Sequence, residues 1–245
     1  MREQVELSAR MHALTELVTP GNRVCDVGCD HGWVSVYLVQ QGISPRVLAM
    51  DVRKGPLSRA QKHIRQRGLE AYIETRLSDG VAAMKAGEAD TVLCAGMGGR
   101  LMQRILEEGR EKLASVRELI LQPQSELRAF RAYLRRAGYV TTAENMVYED
   151  GKYYPMMKAV PAVGERETSL ESEEQVLWDC FGEILLARRH PVLKQYLLAA
   201  EQSCGRILDQ LEQGATDRER AALRYRELQE ERRLVQLALE RYYTG

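Results

Sequence analysis

The sequence predicts an α/β fold: a doubly wound, mainly parallel sheet, closed by an antiparallel hairpin and followed by a helical antiparallel coiled-coil hairpin. Strand and helix patterns alternate from residue 23 to 137, which implies a parallel sheet with helices on both faces. An Asp-Gly turn at 150–151 separates two further strand patterns, as in a β-hairpin. Only helical patterns follow, so we expect a main domain at 1–160 and an appendage at 161–245.

Apolar periodicity, glycine and proline set the expected elements. An amphipathic helix over residues 4–18 ends at Pro20-Gly21. Strands are expected at 23–27, 46–51, 71–77, 90–95, 118–121, 138–149 and 152–160. Helices are expected at 32–41, at 54–67, from the glycines at 96–99 to about 108, and at 125–137.

The last third of the chain carries apolar residues at heptad spacing after a polar linker at 161–169. In a first helix they are Leu193, Leu197, Ala200, Cys204, Ile207 and Leu211. In a second, beginning near residue 217, they are Ala221, Leu228, Val235 and Tyr242. Since Gly214 separates the two patterns, they predict two antiparallel helices with a coiled-coil seam.

Composition excludes several classes of protein. The 245 residues are 44% hydrophobic and 29% charged, as in ordinary soluble proteins. No apolar run approaches the roughly 18 to 20 residues of a membrane span, and the polar N-terminus is not a secretory signal. The five cysteines are scattered, without the spacing of a zinc site. We therefore expect a cytoplasmic protein with reduced thiols, no metal and no membrane partner.

The formal net charge is zero, but the cations are unevenly distributed. They concentrate on two predicted helices, at Arg53, Lys54, Arg59, Lys62, Arg65 and Arg67, and at Arg128, Arg131, Arg135 and Arg136. Such helices suit a polyanion site, but they equally suit solvated helix faces. The charge pattern alone leaves both interpretations open.

The most informative segment is the first turn after a strand, Asp26-Val-Gly28-Cys-Asp30-His31-Gly32. A dinucleotide-binding turn would have glycine at the position of Asp30, where the pyrophosphate needs space. A carboxylate there repels a pyrophosphate but attracts a cation. S-adenosyl-L-methionine carries a sulfonium and an ammonium and no phosphate, so Asp30 favours it as the cofactor. We interpret His31 as a cofactor-lining or structural residue, and expect Gly28 and Gly32 to shape the turn.

Two more acids end predicted strands. Asp51 lies 25 residues after Asp26, where ribose hydroxyls are bound in such folds, although it could be an ordinary helix cap. Asp79, in Ser78-Asp79-Gly80, is placed to meet an adenine amino group, although it could be a turn residue. We expect Val52, Ser78 and Gly80 to line the same site.

The fourth strand ends in Gly96-Met97-Gly98-Gly99, where the methyl-transfer centre should lie. Exocyclic-amine methyltransferases often carry Asn/Asp-Pro-Pro-aromatic here, and this chain does not. The absence suits a ring nitrogen that already has a lone pair and needs positioning more than deprotonation.

Several of these motifs occur together in the order of one known group. Leu7-Ser-Ala-Arg10, Asp26–Gly32, Gly55-Pro-Leu57, Ser78-Asp-Gly80, Gly96–Gly99, Leu119-Ile-Leu-Gln-Pro123 and Glu149-Asp-Gly-Lys-Tyr153 resemble the bacterial tRNA (adenine(22)-N(1))-methyltransferase family, TrmK. The resemblance runs from about residue 7 to 158, and the helical last third fits that family's coiled-coil appendage in kind.

The resemblance implies a class I, Rossmann-like methyltransferase domain that methylates N1 of an adenine in the D-arm region of tRNA, without a metal. It implies that Asp26, Gly28, Asp30, Asp51, Asp79 and Gly96 hold S-adenosyl-L-methionine, and that Arg10, Met97 and Gly98 line the target-base side. Two residues depart from the pattern. Asp51 replaces a Glu of some relatives, which conserves ribose binding, and Cys29 replaces a frequent Ser, which puts a hydroxyl role there in doubt.

Two other functions stay open at the level of sequence. A methyltransferase of a small molecule or protein would have the same cofactor site but no need for basic helices. A non-catalytic interaction protein could display the helical hairpin on a degenerate scaffold, although the acids at 30, 51 and 79 argue against degeneration. The oligomeric state is not determined by the sequence, and we favour a monomer.

Overall fold

The computed structural model describes residues 4–163, 172–214 and 218–244. The chain divides into two compact units, Met1–Thr168 and Ser169–Gly245. Of the linker predicted over residues 161–169, only 161–163 are described, and Pro161 ends a strand.

The first unit is built on one mixed sheet, which has seven strands within the described residues. They are β1 (Val24–Val27), β2 (Val47–Asp51), β3 (Ile73–Leu77), β4 (Thr91–Met97), β5 (Glu118–Pro123), β6 (Tyr139–Glu149) and β7 (Lys152–Pro161). Their order is β3-β2-β1-β4-β5-β7-β6. The first five are parallel, and β7 is antiparallel to both β5 and β6. The predicted parallel sheet and its closing hairpin are thereby confirmed.

Helices alternate with most of the strands in this sheet. They are α1 (Ala9–Glu16), α2 (Trp33–Gln40), α3 (Lys54–Gln66), α4 (Gly99–Glu108), α5 (Arg110–Leu113) and α6 (Leu127–Arg136). The chain adds β2 and β3 on one side of β1, then returns to add β4 and β5 on the other. The strand order therefore reverses between β1 and β4, which is where doubly wound folds open a crevice for ligands.

The first helix is shorter than the predicted span of 4–18. Ser8 has an extended backbone, and its hydroxyl accepts a hydrogen bond from the Met11 N–H, so the helix begins after it. The apolar residues before Ser8 belong to an extended segment. Val5, for example, is buried, and its N–H donates to Gln40 Oε1 at 3.0 Å.

Other predicted boundaries were wrong by two residues or less. The third strand begins at Ile73 instead of residue 71, because Tyr72 and Ile73 both donate their N–H to the Leu69 carbonyl in a turn. The fourth and fifth strands each extend two residues further than expected, to Met97 and Pro123. The short helix α5 was not predicted.

The parallel strands β1, β2 and β5 are buried throughout, and they are mostly apolar because both faces of the sheet are covered there. Val24 and Ile120 pack in the hydrophobic cluster on one face. Cys25 and Leu121, their neighbours along the strands, pack in the cluster on the other face. This alternation is the period of two that strands impose on side chains.

The second unit is helical over its described residues. Its helices are α7 (Glu173–Phe181), α8 (Glu183–Ala187), α9 (Pro191–Gly214) and α10 (Arg218–Tyr243). Two hydrogen bonds give the relative direction of the long pair. Gln236 Nε2 donates to Glu201 Oε1 at 2.9 Å, and the Tyr225 hydroxyl donates to Glu212 Oε1 at 2.7 Å. Position along α10 rises as position along α9 falls, so the pair is antiparallel.

The interface of α9 and α10 contains part of the predicted seam. Cys204 and Leu228 are buried together, and they are joined by Leu208, which lies outside the predicted heptad positions. Supercoiling of the pair remains a prediction. Within the described residues, no helix combines the length and apolar character that crossing a bilayer requires.

Candidate active site

A cavity of about 400 Å³ opens at the carboxyl ends of the parallel strands. Its floor comes from the residues that end β1, β2 and β4, at the point where the strand order reverses. Helices α1 and α4 supply walls through Leu14, Leu101 and Ile105. The position is the one in which open α/β sheets bind ligands.

Most of the site residues predicted from the sequence surround this one cavity. Those that line it are Arg10, Asp26, Gly28, Asp30, Asp51, Val52, Ser78, Asp79, Gly80, Gly96 and Met97. Three others, His31, Gly32 and Gly98, do not line it. Their individual roles in binding and catalysis remain predictions.

Gly28 is required by the close approach of two loops. Its φ is +75°, and a Cβ at this position would lie 2.3 Å from Met97 Cε. The N–H groups of Gly28 and Cys29 both donate to the Met50 carbonyl, at 2.8 and 2.9 Å. The first turn is therefore fixed over the end of β2 and in contact with the end of β4.

Asp26 is a buried carboxylate at the floor of the cavity, and its side chain accepts a hydrogen bond of 2.6 Å from the Ser35 hydroxyl. Burial raises its pKa to about 6, an effect that the Ser35 hydrogen bond reduces and the nearby Asp51 charge increases. A buried carboxylate with a raised pKa gains free energy when a cation binds beside it.

Asp51 and Asp30 meet across the first turn. Asp51 Oδ2 accepts a hydrogen bond from the Asp30 N–H at 3.3 Å, and Oδ1 accepts one from the Arg53 N–H at 2.8 Å. Asp30 has a φ of +48°, uncommon for a residue with a side chain. Its carboxylate is 59% exposed, and lies 3.8 Å from Arg59 Nη2 and 3.7 Å from His31 Nε2. Both acids therefore line the cavity within reach of a ligand, Asp51 at its floor and Asp30 at its exposed edge.

The loop after β3 fixes its own shape. The Ser78 hydroxyl donates to the Gly80 carbonyl at 2.9 Å and accepts from the Ala83 N–H at 3.0 Å, so it is used within the loop. Asp79 is exposed and lies 3.4 Å from Arg104 Nη2. A ligand that bonds to Asp79 would share that carboxylate with an arginine.

Arg10 reaches the β4–β5 side of the cavity from α1. Its Nη1 donates to Gln122 Oε1 at 3.1 Å, and its guanidinium lies 5.0 Å from the centre of the Tyr154 ring. Glu149 accepts a hydrogen bond from the Arg10 N–H at 3.1 Å, and its carboxylate lies 3.9 Å from Nε. Contacts from three strands, β5, β6 and β7, therefore fix the guanidinium.

Sequence reasoning missed Gln122, Gln124, Glu149 and Tyr154. Gln122 and Gln124 lie at the carboxyl end of β5, so the rule that located Asp51 could have identified them. In the sequence, Glu149 stands out only as part of the hairpin turn and of the Glu149-Asp-Gly-Lys-Tyr153 motif. Its contact with Arg10 spans 139 residues, and no local pattern indicates such a contact.

The three predicted residues outside the lining have structural contacts. The His31 carbonyl accepts a hydrogen bond of 2.9 Å from His63 Nδ1, which must then carry the proton. Gly32 is the N-terminal cap of α2, and Gly98 is that of α4.

The cysteines near the cavity are apolar packing groups. Burial raises the pKa of the Cys25 and Cys29 thiols and raises that of Cys94 to about 12, so all three are protonated at neutral pH. In the part of the chain that the structure describes, no group of three or more His, Cys, Asp or Glu side chains is arranged to hold a metal ion.

The side chains that line the cavity fit a cationic nucleoside better than a phosphate ester. Acids dominate the β1–β3 side of the cavity, at Asp26, Asp30, Asp51 and Asp79. Exposed apolar side chains, Val52 and Leu101, lie beside them and suit a flat heterocycle. Carboxylates favour an ammonium, a sulfonium or ribose hydroxyls, and they repel phosphate.

Comparison with known proteins agrees with this chemistry. A family model described as "Methyltransferase domain" matches residues 7–157. The tRNA (adenine(22)-N(1))-methyltransferase of Bacillus subtilis is 29% identical over 97% of this chain and 98% of its own length.

Solved structures show the same likeness. An uncharacterized protein from Listeria monocytogenes is 30% identical, with a TM-score of 0.86 over 96% of this chain and all of the other. Sp1610 of Streptococcus pneumoniae, solved in complex with S-adenosyl-L-methionine, is 28% identical, with a TM-score of 0.81 over 96% of this chain and 100% of its own. With its Rossmann-like sheet and its acid-lined cavity at the strand ends, the chain belongs to the methyltransferase domain family.

Proposed function

We propose that this protein transfers a methyl group from S-adenosyl-L-methionine to N1 of an adenine in tRNA, at position 22 in the D-arm region. The observation that carries the proposal is the likeness to the Bacillus subtilis tRNA (adenine(22)-N(1))-methyltransferase, which extends over 97% of this chain and therefore includes both units. A methyltransferase of small molecules would need only the first.

The β1–β3 side of the cavity is the cofactor side. Asp51 would accept hydrogen bonds from the ribose hydroxyls, and Asp79 one from the adenine amino group. Asp26 and Asp30 would attract the positive charges of the methionine part. When bound, S-adenosyl-L-methionine supplies an electrophilic methyl group on a sulfonium.

The β4–β5 side is the acceptor side, where Arg10, Gly96, Met97 and Gln124 line the cavity. Adenine N1 attacks with its own lone pair, so the chain's residues need to align the base and exclude water, not remove a proton. The ring gains a positive charge in the reaction. Because Glu149 lies beside Arg10, the fixed guanidinium there is balanced by a carboxylate.

Exposed cations on α3, and Arg53 at its N-terminal cap, are the best candidates for binding the tRNA backbone. Arg53, Lys54, Arg59, Lys62 and Arg65 are all exposed, and Arg53 lines the mouth of the cavity. The second basic helix, α6, is less suited than the sequence suggested. Its Arg131 is buried, and Nη2 lies 3.1 Å from Glu144 Oε1.

We place the reaction in the cytoplasm, because tRNA is its substrate, and we propose that the enzyme acts as a monomer. The helical second unit, α9 and α10 in particular, would help to bind the tRNA. The domain boundary at residue 160 remains part of the proposal.

The test is methyl transfer to an unmodified tRNA transcript with adenine at position 22, followed by nucleoside analysis. We expect 1-methyladenosine from this transcript and none when guanine replaces that adenine. Binding through phosphates predicts that the affinity for tRNA falls steeply as salt rises. Methylation of a small molecule or protein, with tRNA left unmodified, would instead support the first alternative. Failure to bind S-adenosyl-L-methionine in calorimetry would support a non-catalytic role.

A further inference from the structure

Gln124 presents an unused amide at the acceptor end of the cavity. It directly follows β5, and its N–H donates to the Met97 carbonyl at 2.8 Å, which fixes its backbone against the end of β4. Its side chain lines the cavity, with Nε2 only 3.7 Å from where a Cβ on Gly96 would lie. The structure gives the side chain no hydrogen bond to any described residue. A donor and an acceptor are therefore available at one point.

The neighbouring glutamine provides a contrast. Gln122 is completely buried, and its Oε1 accepts the hydrogen bond from Arg10 Nη1. Its amide is occupied in holding the guanidinium. Of the two glutamines at this end of β5, only Gln124 faces the cavity with its hydrogen-bonding capacity intact.

The chemistry of the acceptor limits which group can hold it. N1 must stay free to attack the methyl group, so an adenine has to be held by other atoms. On its N6–N7 edge it offers a donor, the N6 amino group, beside an acceptor, N7. A guanidinium has only donors, so Arg10 can bond to N7 but not accept from N6. A carboxamide matches both atoms at once.

We propose that Gln124 is the residue that selects adenine, with Oε1 accepting from N6 and Nε2 donating to N7. This inference rests on the proposed function and adds to it a residue that reads the base. The arrangement leaves N1 unbonded and turned away from Gln124. Guanine offers two acceptors, O6 and N7, on the same edge, so the carboxamide cannot match both.

The experiment combines a protein variant with an altered substrate. Gln124→Ala removes both bonds, and Gln124→Glu keeps the size and the acceptor but removes the donor. A transcript with 7-deazaadenine at position 22 lacks the N7 acceptor. We expect Gln124→Ala to lower kcat/KM for the normal transcript about 10- to 100-fold. The 7-deaza transcript should be a poorer substrate for the wild-type protein but no worse than normal for the Gln124→Glu variant.

Two controls separate base reading from general damage. The dissociation constant of S-adenosyl-L-methionine should change less than about twofold in both variants, because Gln124 lies on the acceptor side. Gln61→Glu changes an exposed amide on α3 that donates to Thr75 Oγ1 and does not line the cavity, and it should leave the penalty for 7-deazaadenine intact.

The possible results distinguish the two proposals. If the wild-type protein methylates the transcript and Gln124→Ala is equally active, the role of Gln124 is overturned while the proposed function stands. The same conclusion follows if the 7-deaza penalty is undiminished in Gln124→Glu. If the wild-type protein methylates no tRNA, both proposals fall.

Discussion

The two ends of the parallel strands use acidic side chains in opposite ways. At the amino ends, each acid is surrounded by donors from the protein itself. At the carboxyl ends, the acids lie around a cavity and keep hydrogen-bonding capacity that a ligand can use. Both sets lie in the first unit, at the ends of strands of one sheet, so the contrast reflects neighbouring groups and not a different fold.

Glu118 shows the pattern of the amino ends. It accepts hydrogen bonds from the Thr19 N–H and hydroxyl at 2.9 and 2.6 Å and from the Thr91 hydroxyl at 2.7 Å, and Lys158 Nζ lies 3.0 Å away. Burial by itself raises its pKa, but the hydrogen bonds from Thr19, Thr91 and Lys158 outweigh burial, and the pKa is lowered. The carboxylate is stabilised in its charged form.

Asp90, also at the amino ends, behaves in the same way. The Arg23 side chain and N–H donate to its carboxylate at 2.8 to 3.1 Å, and they lower its pKa to about 2. At the carboxyl ends the shift of Asp26 has the opposite sign, because burial dominates there. The sign of the pKa shift thus separates acids that stabilise the fold from an acid that is costly to it.

The largest expected effect is at the amino ends. Glu118→Ala removes the acceptor for Thr19 and Thr91 and leaves the partly buried Lys158 ammonium unpaired. The free energy of unfolding should fall by about 3 to 5 kcal/mol, as when one partner of a buried pair is removed. Urea denaturation followed by circular dichroism measures it.

Arg23→Gln is the matched control at the same end. Its side chain is 44% exposed, so the change should cost less than about 1 kcal/mol. Equal losses for Glu118→Ala and Arg23→Gln would contradict the importance of the buried network.

The next effect is on ligand affinity at the carboxyl ends. Asp51→Asn keeps one acceptor oxygen and loses the other, and it removes the charge. S-adenosyl-L-methionine should bind about 10- to 100-fold more weakly, as for lost hydrogen bonds to a charged group. Calorimetry gives the dissociation constant. The control is Asp150→Asn, in the hairpin turn away from the cavity, which should leave the dissociation constant unchanged. Equal affinities for the Asp51→Asn and Asp150→Asn variants would exclude Asp51 from the ribose site.

The smallest expected effect is at Asp26, where replacing the acid should raise the free energy of unfolding, whereas replacing Glu118 should lower it. The pKa of Asp26 is about 6 in the folded chain, against an ordinary value of 3.8. Its contribution to stability is therefore fully present below pH 3.8 and is lost as the pH rises through about 6. Asp26→Asn can still accept from Ser35 and carries no charge, so it should raise the free energy of unfolding at pH 8 by about 1 to 2 kcal/mol.

That gain should shrink as the pH falls from 8 to 5, and urea denaturation at several pH values tests it. The affinity for the cationic cofactor should change with pH in the opposite direction to stability, because the ionised carboxylate of Asp26 attracts the cofactor. Its affinity for the wild-type protein should weaken as the pH falls through about 6. A variant that is less stable than wild type at pH 8 would contradict the raised pKa.

Sequence predicted most of the fold because the fold is encoded locally. Buried runs such as Val47–Asp51 and turns such as Asp150-Gly151 are visible in a few consecutive residues. The first helix was overextended because apolar spacing at Val5 and Leu7 fits a helix, while only the Ser8 cap determines where it begins. Caps act through one hydrogen bond, so they change a periodic pattern very little.

The site was predicted less completely than the fold. Acids at strand ends could be located because strand ends are visible in sequence. The contacts around Arg10 could not be located, because Gln122 and Glu149 reach it across 112 and 139 residues, even though the strand-end position of Gln122 is visible in the sequence. The sequence also does not show which of the two glutamines keeps its side-chain amide free for a ligand. That depends on Gln122 holding Arg10, a contact that exists only in the folded chain.

The stacked rings beside the first turn allow movement of that turn to be followed by the protein's own tryptophan fluorescence. The Trp33 indole lies 3.9 Å from the His63 ring, with Arg67 over its face, and His63 donates a hydrogen bond to the His31 carbonyl. The other of the two tryptophans, Trp178, belongs to the second unit. In a Trp178→Phe background, fluorescence from Trp33 would register displacement of the turn without any label, because quenching by an imidazole depends on ring contact.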